Sequence, residues 1–382
     1  HVISDECIEA NEILGVPAIL LSLDEVVCGG GRFADFGLKG LDLATAAGFP
    51  ESAVNPGKGK RGVLRKVDGK CEFVDSMHEA LWHEELRHVE EYCEMRPHVN
   101  TMSLKPEVLP IVDGKVKMAR ALSCAPWQAL MIYKRYFGAF TQFLYSSTGL
   151  LPVKAGMNVW SAEWDDMVQE HLAMGDLHMD GDYVGFEAGR GLWNTRVNTG
   201  IINRWYSAFS PVDCSRDNVI RSKLMRQMQY ALLIVGPWLM SKQATMTTGT
   251  FMTMPGNELD NWAYNYGAWC MSARIHAPSI ASCVNFRKYN VLSLLGDDFW
   301  RTSHRAAKFF GFSEFQRVMG EAGMKVTRAA KDGSAGDFFP LEEVEFLSCG
   351  FLPRTDGFIK DAKYYPEIQE RSIYKAILYS SK

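Results

Sequence analysis

Apolar and polar positions follow two patterns along the chain, and each predicts its own kind of element. Residues 2–145 show helical periodicity interrupted by glycine- and lysine-rich loops. In residues 291–300, by contrast, an apolar run breaks at Gly296 and Asp297 and resumes with Phe299 and Trp300. A run that breaks and resumes in this way predicts a tight β-hairpin whose arms are buried.

Three further segments are informative. Residues 181–187 combine aromatic and β-branched residues with acidic groups five positions apart, which predicts the end of a strand. Residues 247–257 are small and hydroxylated and predict a loop that leads into a helix, with Thr253 and Asn257 on one face. The apolar stretch 230–240 is too short to span a bilayer and contains Gly236 and Pro237, so we expect it in the core.

Composition narrows the class of protein. With 382 residues, 47% hydrophobic and 23% charged, the chain has the profile of a folded globular enzyme. Its net charge of −4 gives no global attraction to nucleic acid, so any such binding must come from local basic patches. The nine cysteines are scattered without a Cys-x-x-Cys pair, and we expect free thiols in a reducing compartment. The chain begins with His1 and no signal-peptide pattern follows, so we expect it to be cut from a longer polyprotein or trimmed.

Two apparent motifs carry no chemistry. His83 and His88 stand five positions apart, whereas the zinc-protease helix needs four, so this stretch predicts an exposed polar helix. The glycines at 29–31 and the basic run 57–61 lack the Lys-Ser or Lys-Thr of a phosphate loop. We interpret both as solvated surface loops.

The adjacent carboxylates of Asp297 and Asp298 would sit at the tip of the predicted hairpin. Side by side and partly buried they repel, and a divalent cation is the usual compensation. If the strand of Asp182 lies beside the hairpin, Asp182 and Asp297 converge from distant parts of the chain. Magnesium prefers a few such oxygens, and two ions together activate a hydroxyl and neutralise a leaving group in phosphoryl transfer. From residues 291–300 alone, a surface turn that merely contains two aspartates stays open.

The order of these segments resembles the RNA-dependent RNA polymerases of picorna-like positive-strand RNA viruses. Residues 182–187, 248–257 and 296–298 are similar to the family's motifs A, B and C, in that order. Flanking segments also match: residues 43–50 resemble a fingers segment, 104–126 motif F, 327–331 motif D and 344–351 motif E. The resemblance runs from about residue 20 to the C-terminus.

The resemblance implies roles by position. Asp182 and Asp297, with Asp298 beside them, would be catalytic ligands of two Mg²⁺ ions, with Mn²⁺ as a substitute. Lys331 would be the general acid that protonates pyrophosphate. The nucleotide-binding residues would be Lys105, Lys115, Lys117, Arg120, Glu187, Thr248, Gly249, Thr253 and Asn257.

Four departures from the family pattern stand out. Leu295 replaces the usual Tyr of motif C, and Glu187 replaces the usual Asp of motif A. Thr248 replaces the usual Ser of motif B. Ser348 and Cys349 stand where motif E commonly has Lys-Arg, which puts primer grip by that loop in doubt.

The fold implied is an α+β right-hand polymerase with an antiparallel palm sheet, fingers and a truncated thumb. Residues 1–175 would form the N-terminal part of the fingers, and 176–351 the palm with an inserted fingers segment at about 190–240. Residues 352–382 would begin the thumb.

The activity implied is template-directed transfer of NTPs to an RNA 3′-end, replicating a viral RNA genome. The partners would be RNA template, primer or product duplex, NTPs and other viral replication proteins, with no transmembrane segment in the chain itself. The location expected from the family is the host cytoplasm, at membrane-associated replication complexes.

Two rival functions stay open. A reverse transcriptase shares the palm and the paired aspartates, but it normally carries a bulky aromatic residue at the position of Glu187. A catalytically inactive RNA-binding scaffold would keep the fold alone. The altered motif E is compatible with the scaffold, whereas Asp182, Asp297, Arg120 and Lys331 argue against it.

Overall fold

The structure is a computed structural model that describes residues 1–105, 109, 111–112, 115–116, 118–243, 249–330, 336–354 and 362–378. Its α-helices are α1 (Val2–Leu14), α2 (Leu23–Val27), α3 (Glu51–Val54), α4 (Ser76–Tyr92), α5 (Trp127–Ser146), α6 (Ala162–Met174), α7 (Leu192–Phe209), α8 (Ser215–Gln229), α9 (Thr253–His276), α10 (Phe286–Tyr289), α11 (Phe312–Glu321) and α12 (Glu370–Leu378). Its strands are β1 (Leu64–Val67), β2 (Lys70–Phe73), β3 (Val99–Leu104), β4 (Ile111–Val112), β5 (Lys115–Val116), β6 (Ala121–Cys124), β7 (Leu177–Val184), β8 (Tyr230–Val235), β9 (Trp238–Gln243), β10 (Asn290–Leu295), β11 (Asp298–Ser303), β12 (Lys325–Thr327), β13 (Cys349–Pro353) and β14 (Tyr364–Ile368).

The chain divides into two compact units. The first unit contains residues 1, 3–146 and 190–253, and the second contains residues 2, 147–189 and 254–382. The finer subdivision into fingers, palm and thumb stays a prediction.

The first unit is built on a helix that is apolar on nearly every side. Most residues of α5 are buried, and Phe140 and Phe143 contact Trp205 of α7 with ring centroids 5.5 and 5.2 Å apart. A helix without a polar face belongs inside a core. The same unit contains a sheet of order β6-β3-β8-β9, which combines antiparallel pairs with one parallel pair, β3 and β8.

The second unit contains the sheet predicted to carry the acidic residues. Its strands run in the order β10-β11-β7-β12, and every neighbouring pair is antiparallel. One face packs against α9 and α11, where Tyr183 of β7 contacts the rings of Tyr264 and Phe315. The other face packs against α6, whose His171 stacks on Trp300. The α+β class and the antiparallel sheet are therefore as predicted.

The prediction that residues 230–240 lie in the core is wrong for most of this stretch, because Ala231 and Leu233 are buried whereas Tyr230 and residues 235–240 are exposed. These residues form the β8–β9 hairpin around Gly236 and Pro237, and β9 is an edge strand of its sheet. Trp238 is 70% exposed and Leu239 is 64% exposed. An apolar run does not reveal whether its strand is central or at an edge.

Two predictions about polar residues also need correction. Cys270, near the end of α9, forms a disulfide with Cys283, so free thiols are not the rule throughout the chain. In the basic run 57–61, Lys60 is 5% exposed and donates to Thr45 Oγ1 at 2.5 Å, so the loop is not uniformly solvated. The polar helix predicted around His83 is confirmed as α4. Within the described part of the chain, none of the helices has the length and apolar character to traverse a bilayer.

Candidate active site

The predicted β-hairpin is confirmed. Strands β10 and β11 pair from Asn290 with Ser303 to Leu295 with Asp298, which leaves Gly296 and Asp297 as the turn. Gly296 has a φ of +63°, a left-handed conformation that a two-residue hairpin turn requires at its first central position. The break that the sequence pattern showed is therefore this turn, and it places Asp297 at the tip.

Strand β7 brings Asp182 to the same end of the sheet. β7 pairs with β11 so that Gly181 lies opposite Phe299. In an antiparallel register the next opposed positions are Asp182 and Asp298, with side chains on the same face. Asp182, Asp297 and Asp298 are all half-buried. Three carboxylates from two separate segments of the chain, β7 and the β10–β11 hairpin, thus lie near the same end of the sheet.

Asn261 of α9 holds the hairpin turn. Its side-chain Nδ2 donates to the backbone carbonyls of Gly296 at 3.1 Å, Asp297 at 3.2 Å and Asp298 at 3.4 Å. The hydroxyl of Tyr183 donates to Asn261 Oδ1 at 3.2 Å. The fully buried Asn261 therefore links the strand of Asp182 to the turn of Asp297. Sequence reasoning missed it, although it stands one helical turn after Asn257 on the same face.

Glu187 lies in a turn immediately after β7. Gly185, with a φ of +67°, accepts from the amides of Ala188 at 2.9 Å and Gly189 at 3.2 Å. The turn bends the chain back directly after the strand, and Glu187 is half-buried within it. The turn at Gly185 thus fixes where Glu187 lies in space relative to the end of β7.

Asn257 lies in the first turns of α9. It is 8% exposed, and its Oδ1 has no hydrogen-bond partner among the described residues. Because a buried amide oxygen without a partner costs free energy, such an atom is a natural contact for a ligand hydroxyl.

The loop before α9 belongs to the first unit. Gly249 has a φ of +85°, and a Cβ there would lie 1.9 Å from the carbonyl oxygen of Ser123 in β6, so this position requires glycine. Thr253 Oγ1 donates to the carbonyl of Thr250 at 3.0 Å at the start of the helix. The loop that leads into a helix is therefore as predicted.

Two of the predicted nucleotide-binding cations come together in the first unit. The amide of Lys105 donates to the carbonyl of Arg120 at 2.8 Å, which continues the pairing of β3 with β6. Arg120 is exposed and Lys105 is half-buried. Lys115 has a described backbone in β5 but no described side chain. The remaining predicted site residues outside the described part of the chain are Lys117, Thr248 and Lys331.

Comparison with known proteins decides the family. A sequence model described as viral RNA-dependent RNA polymerase matches residues 37–382. The chain belongs to the viral RNA-dependent RNA polymerases. It is similar to the RNA1 polyprotein of Satsuma dwarf virus (28% identity over 82% of the chain) and the replicase polyprotein of cricket paralysis virus (24% over 65%). The chain spans only 15% and 14% of those polyproteins.

The fold has a known counterpart in the same family. The solved structure of the Sicinivirus 3Dpol RNA dependent RNA polymerase matches with a TM-score of 0.71 at 16% identity, over 99% of this chain and 73% of that one. The right-hand polymerase fold predicted from the motif order is thereby confirmed. The resemblance to the polymerases of picorna-like viruses is confirmed as well.

Two buried histidines, His171 of α6 and His178 of β7, form a hydrogen-bonded network with the β10–β11 hairpin. His171 bonds to Thr302 Oγ1 at 2.7 Å and to Ser293 Oγ at 2.9 Å, and His178 bonds to the same Thr302 hydroxyl at 2.7 Å. Burial lowers the pKa of His178 to about 4 and that of His171 well below its usual value. Both rings are therefore uncharged at neutral pH, and they join β7, β10 and β11 without introducing charge beneath the aspartates.

The carboxylates suit magnesium better than a metal with a closed protein cage. Within the described residues, no three His, Cys, Asp or Glu side chains form a ready-made metal cluster. Magnesium keeps several waters and is typically held by one or two carboxylates together with substrate phosphates. The half-buried oxygens of Asp182, Asp297 and Asp298 are of that kind, so the residues present fit the divalent metal ions that the family generally uses.

Proposed function

We propose that the chain catalyses template-directed addition of ribonucleotides to an RNA 3′-end and so replicates a viral RNA genome. The observation that carries this proposal is the strand register that sets Asp182 beside the hairpin tip of Asp297 and Asp298. Family membership supports the same activity. The proposal concerns this chain, which is a small part of its polyprotein relatives.

Asp182 and Asp297, with Asp298 beside them, would hold two Mg²⁺ ions. When bound, such ions lower the pKa of the attacking hydroxyl and neutralise charge on the leaving oxygens. The protein holds the ligands in place before the substrate arrives, because the sheet fixes Asp182 and Asn261 fixes the turn of Asp297. Positioning and charge stabilisation are most of what phosphoryl transfer requires of a protein.

The remaining residues divide into three roles. Lys105 and Arg120, with Lys115 and Lys117, would bind the triphosphate through charge-assisted hydrogen bonds. Glu187 and Asn257, with Thr248, Gly249 and Thr253, would recognise the ribose. Lys331 would donate its ammonium proton to the pyrophosphate as the bond from the α-phosphorus to the leaving oxygen breaks. In the same step the 3′-oxygen bonds to that phosphorus and releases its proton to solvent.

We also propose RNA template, primer or product duplex and NTPs as partners, together with other viral replication proteins. The polyprotein context of the relatives supports the last of these. The location at membrane-associated complexes in the host cytoplasm rests on the family resemblance alone.

Primer extension with ribonucleotides against deoxyribonucleotides tests the proposed function. On a primed RNA template with Mg²⁺, we expect extension with NTPs and little with dNTPs. Efficient use of dNTPs would indicate a reverse transcriptase. RNA binding without extension by either substrate would indicate a scaffold, and both results would overturn the proposal.

A further inference from the structure

Asp180 of β7 is a fully buried carboxylate with a complete set of hydrogen bonds. Its Oδ1 accepts from Arg328 Nε at 3.3 Å and from the amide of Ala329 at 3.1 Å. Its Oδ2 accepts from Arg328 Nη2 at 3.2 Å and from the amide of Glu345 at 2.9 Å. One side chain thus joins three segments that are far apart in the sequence.

Each of these segments borders a residue of the proposed reaction or its motifs. Asp180 lies two positions before Asp182, and because side chains alternate along a strand, both point to the same face of β7. Arg328 and Ala329 follow strand β12, whose Thr327 pairs with Asp182. They directly precede Ala330 and Lys331. Glu345 begins the part of motif E that leads into β13.

Arg328 is held as firmly as its partner. It is 4% exposed, its Nη2 also donates to the carbonyl of Glu343 at 2.6 Å, and its guanidinium lies 3.5 Å from the ring centroid of Phe339. A planar guanidinium that is paired on its edge and stacked on its face has little rotational freedom. The side chain of Arg328 and the amide of Ala329 therefore both hold this backbone against β7, the strand of Asp182.

We propose that Asp180 and Arg328 are positioning residues for nucleotide addition, which set the segment leading to Lys331 in register with the strand of Asp182. This rests on the proposed function, in which Lys331 is the general acid. A fully desolvated ion pair is weak evidence for stability by itself, and fixing one arrangement is the better-attested use of such a pair. Both side chains are buried, so we expect them to act through Lys331 and not by direct contact with the substrate.

A double-mutant cycle tests this coupling. The single-turnover rate of nucleotide addition, the burst amplitude and the NTP dissociation constant are measured on one primed RNA for the wild type, Asp180→Asn, Lys331→Leu and the double variant. Loss of a general acid should lower the rate by about 10²-fold or more in Lys331→Leu. We expect Asp180→Asn to lower the rate by roughly tenfold with an unchanged NTP dissociation constant, because only part of the acid's contribution is lost.

The decisive comparison is the double variant. If Asp180 acts through Lys331, the double variant adds a nucleotide as slowly as Lys331→Leu alone, because the acid is already gone. If the two effects multiply, Asp180 is merely structural and the proposal is overturned. A general loss of folded enzyme would lower the burst amplitude instead of the rate.

A second pair of variants covers the case that Asp180→Asn does not fold. Removing one partner leaves a buried charge uncompensated, whereas Asp180→Asn with Arg328→Gln removes both charges. We expect this neutral pair to fold and to be as slow as the single variant would be. A wild-type rate in the neutral pair would overturn the proposal. Arg317→Gln, which breaks the ion pairs of the exposed Arg317 with Glu314 and Glu321 in α11, is the control and should keep the wild-type rate.

Failure of the two proposals can be told apart. If the wild type extends primers but Lys331→Leu is as fast as the wild type, then Lys331 is not the acid and the positioning proposal falls, while polymerase activity stands. If the wild type does not extend primers at all, the proposed function itself falls, and the positioning role falls with it.

Discussion

The carboxyl groups of the second unit differ in what surrounds them, and the difference predicts what each does. Asp180 is buried with four hydrogen bonds. Asp182 and Asp297 are half-buried at strand ends, where carboxylate oxygens remain accessible to a cation. Glu258 is completely buried, and neither of its carboxyl oxygens has a partner among the described residues.

Glu258 should make the protein less stable as the pH rises. Burial raises its pKa well above 4.5, so the folded protein keeps a proton that the unfolded chain has already lost. Unfolding then releases a proton, and the free energy of unfolding falls with rising pH from about 4.5 up to the folded pKa. Glu258→Gln does not titrate, so it should gain stability relative to the wild type by at most about 1.4 kcal/mol per pH unit in this window.

The measurement is urea unfolding of both proteins at a series of pH values. Parallel pH profiles for the wild type and Glu258→Gln would show that the pKa of Glu258 is the same in the folded and unfolded states, which would contradict this prediction.

Glu187 should select the sugar. In the proposed function Glu187 reads the ribose 2′-hydroxyl through Asn257, whose buried Oδ1 is ready to accept the hydrogen bond of that hydroxyl. Loss of a hydrogen bond to a charged group costs about 1.5–3 kcal/mol, so Glu187→Ala should lower the ratio of ribo to deoxy kcat/KM by roughly 10- to 100-fold. Glu342→Ala, an exposed acidic residue of the same unit, is the control. An unchanged ratio would mean that Glu187 does not sense the sugar.

The location of a single residue could be predicted where a sequence motif determines it. It could not be predicted where contacts with distant segments determine it. The positions of Asp182 and Asp297 follow from the hydrophobic pattern and the motif order. The burial of Lys60 and the pairing of Cys270 with Cys283 depend on partners at a distance, Thr45 and the turn after α9, which no local pattern encodes.

At the scale of elements, Asn261 of α9 links its helix to the hairpin turn through three backbone carbonyls. Asn261→Leu keeps the volume but leaves the carbonyls of Gly296, Asp297 and Asp298 without this donor. Because each lost hydrogen bond is worth about 1 kcal/mol, we expect nucleotide addition to slow by roughly tenfold or more while RNA binding is unchanged. Single-turnover kinetics and a filter-binding titration check the two halves of this expectation.

The matched control for Asn261 is Asn285→Leu. Asn285 also donates from Nδ2 to a backbone carbonyl, that of Ile280 at 3.2 Å, but away from the hairpin. Equal loss of rate in both variants would attribute the effect to general destabilisation and remove the special role of Asn261.

Elements with a strong local signal were predicted well. The hairpin around Gly296 and the start of α9 at Thr253 lie where the pattern placed them. The edge position of β9 was missed, because strand order depends on pairing between segments that are remote in the sequence. For the same reason the contacts of Asp180 with Arg328 and Glu345 could not be predicted.

At the scale of the whole molecule, the order of the motifs identified the family before any single segment could. A pair of aspartates in a turn occurs in many kinds of protein. A strand with an acidic residue, then a glycine loop that leads into a helix, then a hairpin with acidic residues at its tip occur in that order in few. The net charge of −4 says nothing about RNA binding, because the cations to which the resemblance assigns such a role, among them Lys105 and Arg120, are local. Lys117, Thr248 and Lys331 keep their roles as predictions.

The proposed function depends on catalytic metal ions at the hairpin tip, and the variant Asp297→Asn tests whether Asp297 binds them. The measurement is single-nucleotide extension of a primed RNA with Mg²⁺ as the only divalent ion, alongside RNA binding, with the exposed Asp176→Asn as control. We predict that Asp297→Asn lowers the rate of extension by about 10²-fold or more, because a ligand charge is lost, while RNA binding and the control stay at wild-type levels. Near-wild-type extension by Asp297→Asn would show that Asp297 is not a ligand of the catalytic metal.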